Sequence, residues 1–214
     1  MYLPAHFAET RTKVLHAAMR SHPLGTLITL DDDGALQADP IPLLVEPGPA
    51  DHGTLRGHVA RANPLWRRTR TETEVLVVFQ GAQSYVSPGW YPSKAEHGKV
   101  VPTWNYIVVQ ARGRLRAVED AEWLHALVSR LTERHEAPRA QPWGVGDAPP
   151  DYIATMLRAI VGIEIEITDL VGKWKVSQNR SAADRAGVAA GLAALSGDAQ
   201  AAAMAAAVAR GAAG

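Results

Sequence analysis

A chain of 214 residues, 47% hydrophobic and 21% charged, can bury a sizeable core without disulfides or metal staples and has the composition of an ordinary globular domain. Its 22 basic and 22 acidic side chains cancel, so no overall field draws it to nucleic acid or to an anionic membrane, and the lack of cysteine excludes disulfides, thiolate chemistry and cysteine-ligated metal clusters. The chain opens on no secretion-signal pattern and holds no window near ~18 uninterrupted apolar residues, so a cytoplasmic, membrane-free location is expected.

Over residues 8–20, Val14, Leu15, Ala18 and Met19 recur at helical spacing behind Phe7, and Pro23 closes the segment, which predicts an amphipathic first helix. Residues 24–30, the tight-turn run Asp31-Asp32-Asp33-Gly34 and residues 35–45 read as a β-hairpin. Pro40 and Pro42 each remove a ladder donor, which puts the second strand at an edge or makes it irregular. After a Pro- and Gly-rich loop at 46–53, a third strand is expected over 54–59. Asn63 is then a good N-cap and Pro64 a suitable first helical residue, so a short helix should run to about Arg70. Residues 75–80, nearly all apolar and β-branched, read as a buried central strand, with 84–87 pairing to it across Gly81.

Trp90, Tyr91 and Trp104 follow among Pro88, Pro92 and Pro102, an aromatic connection stiffened by prolines. Such a surface should cover a planar ligand, a partner subunit or the protein's own barrel. Residues 106–118 alternate as one long strand, with a bend or bulge at Gly113. Trp123, Leu124, Leu127, Val128 and Leu131 mark a helix over 120–135 capped by Asp120, and a second helix is expected over 151–160 after a proline-rich link. Ile163, Ile165 and Ile167 alternate with Glu164, Glu166 and Thr168 as a half-buried strand. Residues 181–195 read as a helix, and the alanine-rich 199–210, lacking an apolar stripe, as a frayed one without a function.

Two stretches carry polar chemistry. In Gly57-His58-Val59-Ala60-Arg61-Ala62-Asn63-Pro64 a strand ends and a helix begins at a good cap, so free backbone N–H groups and the Arg61 fork suit a phosphate, with His58 a third donor if it faces the same pocket. The same residues read equally as an Arg61–carboxylate ion pair beside a surface histidine. Gly172-Lys173-Trp174-Lys175-Val176-Ser177-Gln178-Asn179 sets cations, an indole and amides directly after a strand, which suits a heteroaromatic ring and its hydrogen-bonding edge, or a helix start capped by Ser177 or Asn179. No two of the eight histidines stand at a metal-ligand spacing, and no Gly-x-Ser-x-Gly, P-loop or Gly-x-Gly-x-x-Gly is present. A metal site, a hydrolase and a Rossmann fold are therefore not expected.

Over residues 1–179 these pieces together resemble the PaiB family, the FMN-binding negative transcriptional regulators. The resemblance rests on Met-Tyr-Leu-Pro-Ala-His-Phe at residues 1–7, the 57–64 run, Tyr-Val-Ser-Pro-Gly-Trp-Tyr-Pro-Ser-Lys at 85–94, Pro-Thr-Trp-Asn-Tyr at 102–106 and the 172–179 run. It implies an α+β, mainly antiparallel β fold, a split β-barrel of the flavin reductase and pyridoxamine-phosphate oxidase type with peripheral helices, working as a homodimer with FMN in the cleft between subunits. The FMN-binding domain would span 1–180 and an alanine-rich helical extension 181–214. By this resemblance the cofactor-binding residues are His58, Arg61, Asn63, Trp104, Asn105, Lys173, Trp174, Lys175 and Gln178, with Arg61 contributing more than Lys175 and the ring flanked by Trp104 and Trp174. The segment Gln37-Ala38-Asp39-Pro40-Ile41-Pro42 lacks the arginine that the oxidases carry there, so pyridoxamine-phosphate oxidation is not implied. The function that follows is an FMN-binding homodimer, a PaiB-like negative transcriptional regulator with flavin-dependent redox activity. The other reading is a flavin reductase that takes a nicotinamide cofactor and has no DNA-related role. Neutral charge and the lack of a helix-turn-helix pattern give direct DNA contact no support.

Overall fold

The computed structural model describes residues 1–48, 51–68 and 74–211. Among the described residues there are eight strands: β1 (Ala8–Glu9), β2 (Leu24–Leu30), β3 (Leu36–Pro42), β4 (Leu44–Glu46), β5 (Thr54–Ala60), β6 (Glu74–Val86), β7 (Thr103–Val118) and β8 (Ile160–Lys175). The helices are α1 (Thr12–Ser21), α2 (Leu65–Arg68), α3 (Ser93–His97), α4 (Ala121–Glu136), α5 (Pro150–Arg158), α6 (Ala182–Ala193) and α7 (Ala199–Arg210). Every strand pair with a defined register is antiparallel, and the sheet order is β3-β2-β6-β7-β8-β5-β4, with β1 added to β8. The path ends on two different edge strands, so the split barrel is built as an eight-stranded sheet that does not close. No helix of the described residues is long and apolar enough to cross a membrane.

Contacts divide the chain into two compact units. One comprises Met1–Ser21, Gln80–Val109 and Val171–Gly214, the other His22–Phe79 and Gln110–Leu170. β6, β7 and β8 each have part of their length in both.

In the second unit the hairpin forms as the sequence predicts. Gly34 takes a positive φ of 80°, and Asp31 Oδ1 accepts from the N–H groups of Asp33 and Ala35, closing the turn. β3 pairs with β2 alone, the edge position that Pro40 and Pro42 require. Alternation along β5 and β8 buries Leu55, Val59, Ile163 and Ile165 against each other's strands, with Gly57 opposite Ile163. α4 starts at Asp120, whose carboxylate accepts from Trp123 N–H, and its Leu127 and Leu131 pack on Leu44. Outside this core a chain of ion pairs, Arg116–Glu164–Arg56–Glu46–Arg130, links β7, β8, β5, β4 and α4. The expected helix after Asn63 is seen as α2, and its anticipated end at Arg70 lies outside the described residues.

The first unit holds most of the departures from the sequence reading. Gly81 is no turn: β6 runs unbroken through it, and a Cβ there would sit tightly against Ile107, at 3.1 Å, so glycine eases the approach of the strands. The first helix begins at Thr12, since Ala8 and Glu9 pair with Lys173 and Gly172 as β1. The alanine-rich α7 is not frayed. Asp198 caps it by accepting from the N–H groups of Gln200 and Ala201, and Ala201, Met204, Ala205, Ala207 and Val208 join Val188 and Leu192 of α6 in a buried cluster with Val86, Tyr91 and Val176. A stripe of small side chains is a packing surface, and alanine-rich sequence hides it from a hydrophobicity count. The proline-stiffened aromatic loop closes on the same helices. A Cβ on Gly187 or Gly191 would lie 2.1 Å from the Trp90 carbonyl or 2.4 Å from its ring, and Ser93 donates through N–H and Oγ to buried Asp184 of α6. Of the surfaces open to Trp90 and Tyr91, the protein's own helices are the ones they meet.

Candidate functional site

The residues singled out from the sequence fall into two groups, one in each unit. In the first unit the end of β8 presents Lys173 and Lys175 on one side and Trp174 on the other, as a period of two demands. Trp174 packs on the α6–α7 cluster. The two lysines lie beside Tyr106 of β7, their ammonium nitrogens 5.3 Å and 6.0 Å from its ring centroid. Lys173 is only 7% exposed; it donates to the Tyr2 carbonyl at 3.0 Å and stands 5.6 Å from the Tyr2 ring. Lys175 donates to Thr103 Oγ1 at 2.6 Å and to the Trp104 carbonyl at 2.7 Å. Neither lysine has a carboxylate partner among the described residues. Burial, with the nearby charges of Lys173 and Arg180, holds the Lys175 ammonium below the ordinary lysine pKa, against an opposing pull from Tyr106. Each ammonium carries three donors, so donors remain on both for an anion.

Around these cations the neighbouring side chains are fixed. Asn105, 1% exposed, donates to Ser177 Oγ at 2.8 Å, while its Oδ1 is buried with no partner among the described residues. Ser177 itself has φ 63°, a left-handed conformation that a non-glycine residue adopts at a cost, where β8 ends. Gln178 secures that end, accepting from Val176 N–H and donating to the Trp174 carbonyl. Trp104 is half exposed, its indole N–H donating to Gln83 Oε1 at 3.1 Å and its ring edge-on to Tyr85. Gln80, Gln83, Trp104, Tyr106 and Val108 line a cavity of ≈ 230 Å³. Tyr106, Thr103 and Tyr2 were not singled out from the sequence. Tyr106 was legible as the residue two places after Trp104 on the same strand face, whereas the Tyr2 carbonyl left no signal.

In the second unit Asn63 caps α2 as its sequence implies, Oδ1 accepting from Leu65 N–H at 2.9 Å and Nδ2 donating to Asp39 at 3.0 Å. Arg61 donates to the carbonyls of Arg158 and Ile160 and to the Glu119 carboxylate, and its guanidinium lies 5.7 Å from the Trp66 ring centroid. Three of its five N–H donors are engaged, one of them on a carboxylate, so the ion-pair alternative is present. His58 lines a cavity with α4 residues, and Asn63 a separate one with Thr29, Asp31, Asp39 and Arg68.

Comparison with known proteins adds the family. Residues 1–169 match the model FMN_bind_2, "Putative FMN-binding domain". An uncharacterized protein of Aspergillus fumigatus is 36% identical, with 90% of each chain covered. The Bacillus subtilis protein named protease synthase and sporulation protein PAI 2 is 33% identical, over 86% of this chain and 85% of its own. Among solved structures, the flavocytochrome Anf3 of Azotobacter vinelandii superposes with a TM-score of 0.56 at 13% identity, over 78% of this chain and 69% of that one, a likeness of fold. The architecture is thus a mainly antiparallel α+β fold of split-barrel flavoprotein type with peripheral helices.

Proposed function

Because the chain belongs to the PaiB family of FMN-binding-domain proteins, we propose that it is a homodimeric FMN protein whose cofactor is held by the Lys173–Lys175–Tyr106 group and its neighbours. One observation carries this reading: two ammonium groups lie over one tyrosine ring, one of them on the buried residue Lys173, with no described acid to neutralise either. A buried cation with no acidic partner is costly, and an anionic ligand offsets that cost. The donor set fits a flavin monophosphate. Lys175, with Lys173 behind it, meets the phosphate charge; Asn105 supports the site from beneath by donating to Ser177 Oγ; and Trp104 and Tyr106 supply aromatic faces. Trp174 and Gln178 act from behind by holding the strand end, and Arg61 and Asn63 hold the start of α2.

A second copy of the chain has a surface to occupy. On β2, β3 and β6 the face opposite the core carries Ile28, Leu30, Leu36, Ala38, Leu76 and Val78, brought into rows by the pairing of Ile28 with Ala38 and Leu76 and of Leu30 with Leu36. Leu36 is 73% exposed, and so flat and apolar a face suits a symmetric partner. Light scattering should return twice the 23.0 kDa chain mass.

A bound flavin supplies hydride or electron exchange, for which the protein contributes position and charge. Redox activity with a nicotinamide donor, or a regulatory response to flavin occupancy, are the two uses this holder supports. Titrating flavin-free protein with riboflavin, FMN and FAD, followed by visible absorbance, tests the cofactor. FMN should bind at least tenfold tighter than riboflavin, and equal affinity for the two, or preference for FAD, overturns the assignment. Anaerobic mixing of the loaded protein with NADPH, followed by admission of oxygen as the electron acceptor, then separates the uses: bleaching by NADPH and recovery of the yellow absorbance in oxygen marks an enzyme, and no reaction leaves the regulatory role.

A further inference from the structure

Residues 2–8 close on a single side chain of the first unit. Ala8 pairs with Lys173 in β1, Phe7 is buried with its N–H donating to the Pro4 carbonyl at 2.9 Å, and the Tyr2 carbonyl accepts from the Lys173 ammonium at 3.0 Å. This strap is therefore fixed to one residue at both ends, with Pro4 holding φ at −57° between them. The Tyr2 ring lies 5.6 Å from the Lys173 ammonium and the Tyr106 ring 5.3 Å from it, so the two rings share one cation. Their exposure differs. Tyr106 lines the ≈ 230 Å³ cavity together with Trp104, whereas Tyr2 is 84% exposed. An aromatic ring whose main chain is tied down while its faces stay in water gains contact area only when something planar covers it.

We propose that Tyr2 is a flavin-binding residue: its ring packs on the isoalloxazine at the rim of the Trp104–Tyr106 cavity and forms the outer wall of the ring site. This rests on the placement of the flavin at the Lys173–Lys175 group and extends that holder to the strap formed by residues 2–8. The hydrogen bond to Lys173 uses the Tyr2 main chain alone, so the ring turns about its own side-chain torsions without releasing the strap. Lys173 holds the strap beside Tyr106, which sets the Tyr2 ring on the side of the site where Tyr106 already offers a face. A phenol ring carries no charge to meet a phosphate. Its contribution is therefore the same for riboflavin and for FMN, whereas the contribution of the lysines appears with FMN alone.

Titrating the flavin-free, full-length protein with FMN and with riboflavin decides the matter, in the wild type and in Tyr2→Ala, Tyr2→Leu and Tyr2→Phe. Each substitution keeps the main-chain carbonyl that Lys173 holds, so the melting temperature without flavin should stay unchanged. Tyr2→Ala and Tyr2→Leu should weaken both flavins by the same factor, about two- to tenfold, the range for one aromatic pair, and Tyr2→Phe should keep both at the wild-type value. Loss of FMN affinity alone overturns the proposal, because Tyr2 then acts only through Lys173 on the phosphate. Tyr2→Leu binding as well as Tyr2→Phe overturns it too, since any apolar cover would then serve. Unchanged affinity for both flavins in Tyr2→Ala likewise overturns it. In that case the holder stands if Lys173→Met with Lys175→Met still loses FMN, and falls if that variant binds FMN as the wild type does. A wild-type protein that takes up neither flavin ends the holder and the role of Tyr2 together.

Discussion

The arginines tied into the ion pairs of the second unit and the two lysines at the end of β8 in the first are treated in opposite ways. In the second, each well-placed guanidinium is answered: Arg61 by Glu119 and two carbonyls, Arg56 by Glu46 and Glu164, Arg116 by Glu164. In the first, Lys173 and Lys175 meet only carbonyl and hydroxyl oxygens and the faces of Tyr2 and Tyr106. A guanidinium paired with a carboxylate of a neighbouring strand is a structural part, holding strand ends where the sheet order places them. An ammonium left without an acid is a binding part, because a ligand anion gains the interaction that folding withheld. A run of basic residues in a sequence does not distinguish the two.

The largest test of this contrast removes both lysines. Lys173→Met with Lys175→Met should lower FMN affinity by about 3 kcal/mol or more, taking ~1.5–3 kcal/mol per hydrogen bond to a charged group, while riboflavin affinity changes little. An equal loss from Arg61→Ala would break the contrast and return the phosphate to the start of α2. Next comes the scaffold behind the lysines. Gly187→Ala drives a Cβ to 2.1 Å from the Trp90 carbonyl, so unfolding in denaturant should show a loss of about 1–3 kcal/mol, whereas Gly146→Ala, with nothing within 4 Å, should be near neutral. Since Trp90 and Trp174 pack on one cluster, Gly187→Ala should also weaken flavin binding, and unchanged binding would separate the loop from the site.

Arg61→Ala itself should change stability by about 0–1 kcal/mol, the range for a partly exposed ion pair, and FMN affinity by less than 1 kcal/mol. The gentlest probe is pH. Lys175 has a folded-state pKa below the ordinary lysine value, so FMN affinity should decline as pH rises through that lowered pKa, and Lys175→Met should flatten the decline. For the flavin-free protein the sign is reversed: between the lowered pKa and the ordinary one the unfolded chain binds more protons, so stability rises with pH across that window. An arginine does not titrate there, and a decline that persists in Lys175→Met would point away from this group.

The sequence alone determined the local structure. Period-two alternation, the Asp31–Gly34 turn, the Asp120 and Asn63 caps and the edge position enforced by Pro40 and Pro42 each depend on residues within a few positions of one another, and each appears where its pattern lies. The sequence also marked most of the candidate binding residues, since Lys173, Lys175, Trp104 and Asn105 stand in two short polar-aromatic runs. Only the tertiary structure decided which charges are neutralised. Glu119 lies 58 residues from Arg61, and Tyr2 171 from Lys173, separations across which no spacing rule speaks. It likewise decided that α7 is buried, because small side chains signal packing only when the facing helix is known, and that Gly187 and Gly191 receive Trp90, because a glycine reveals the close approach it permits only once its neighbour is in place.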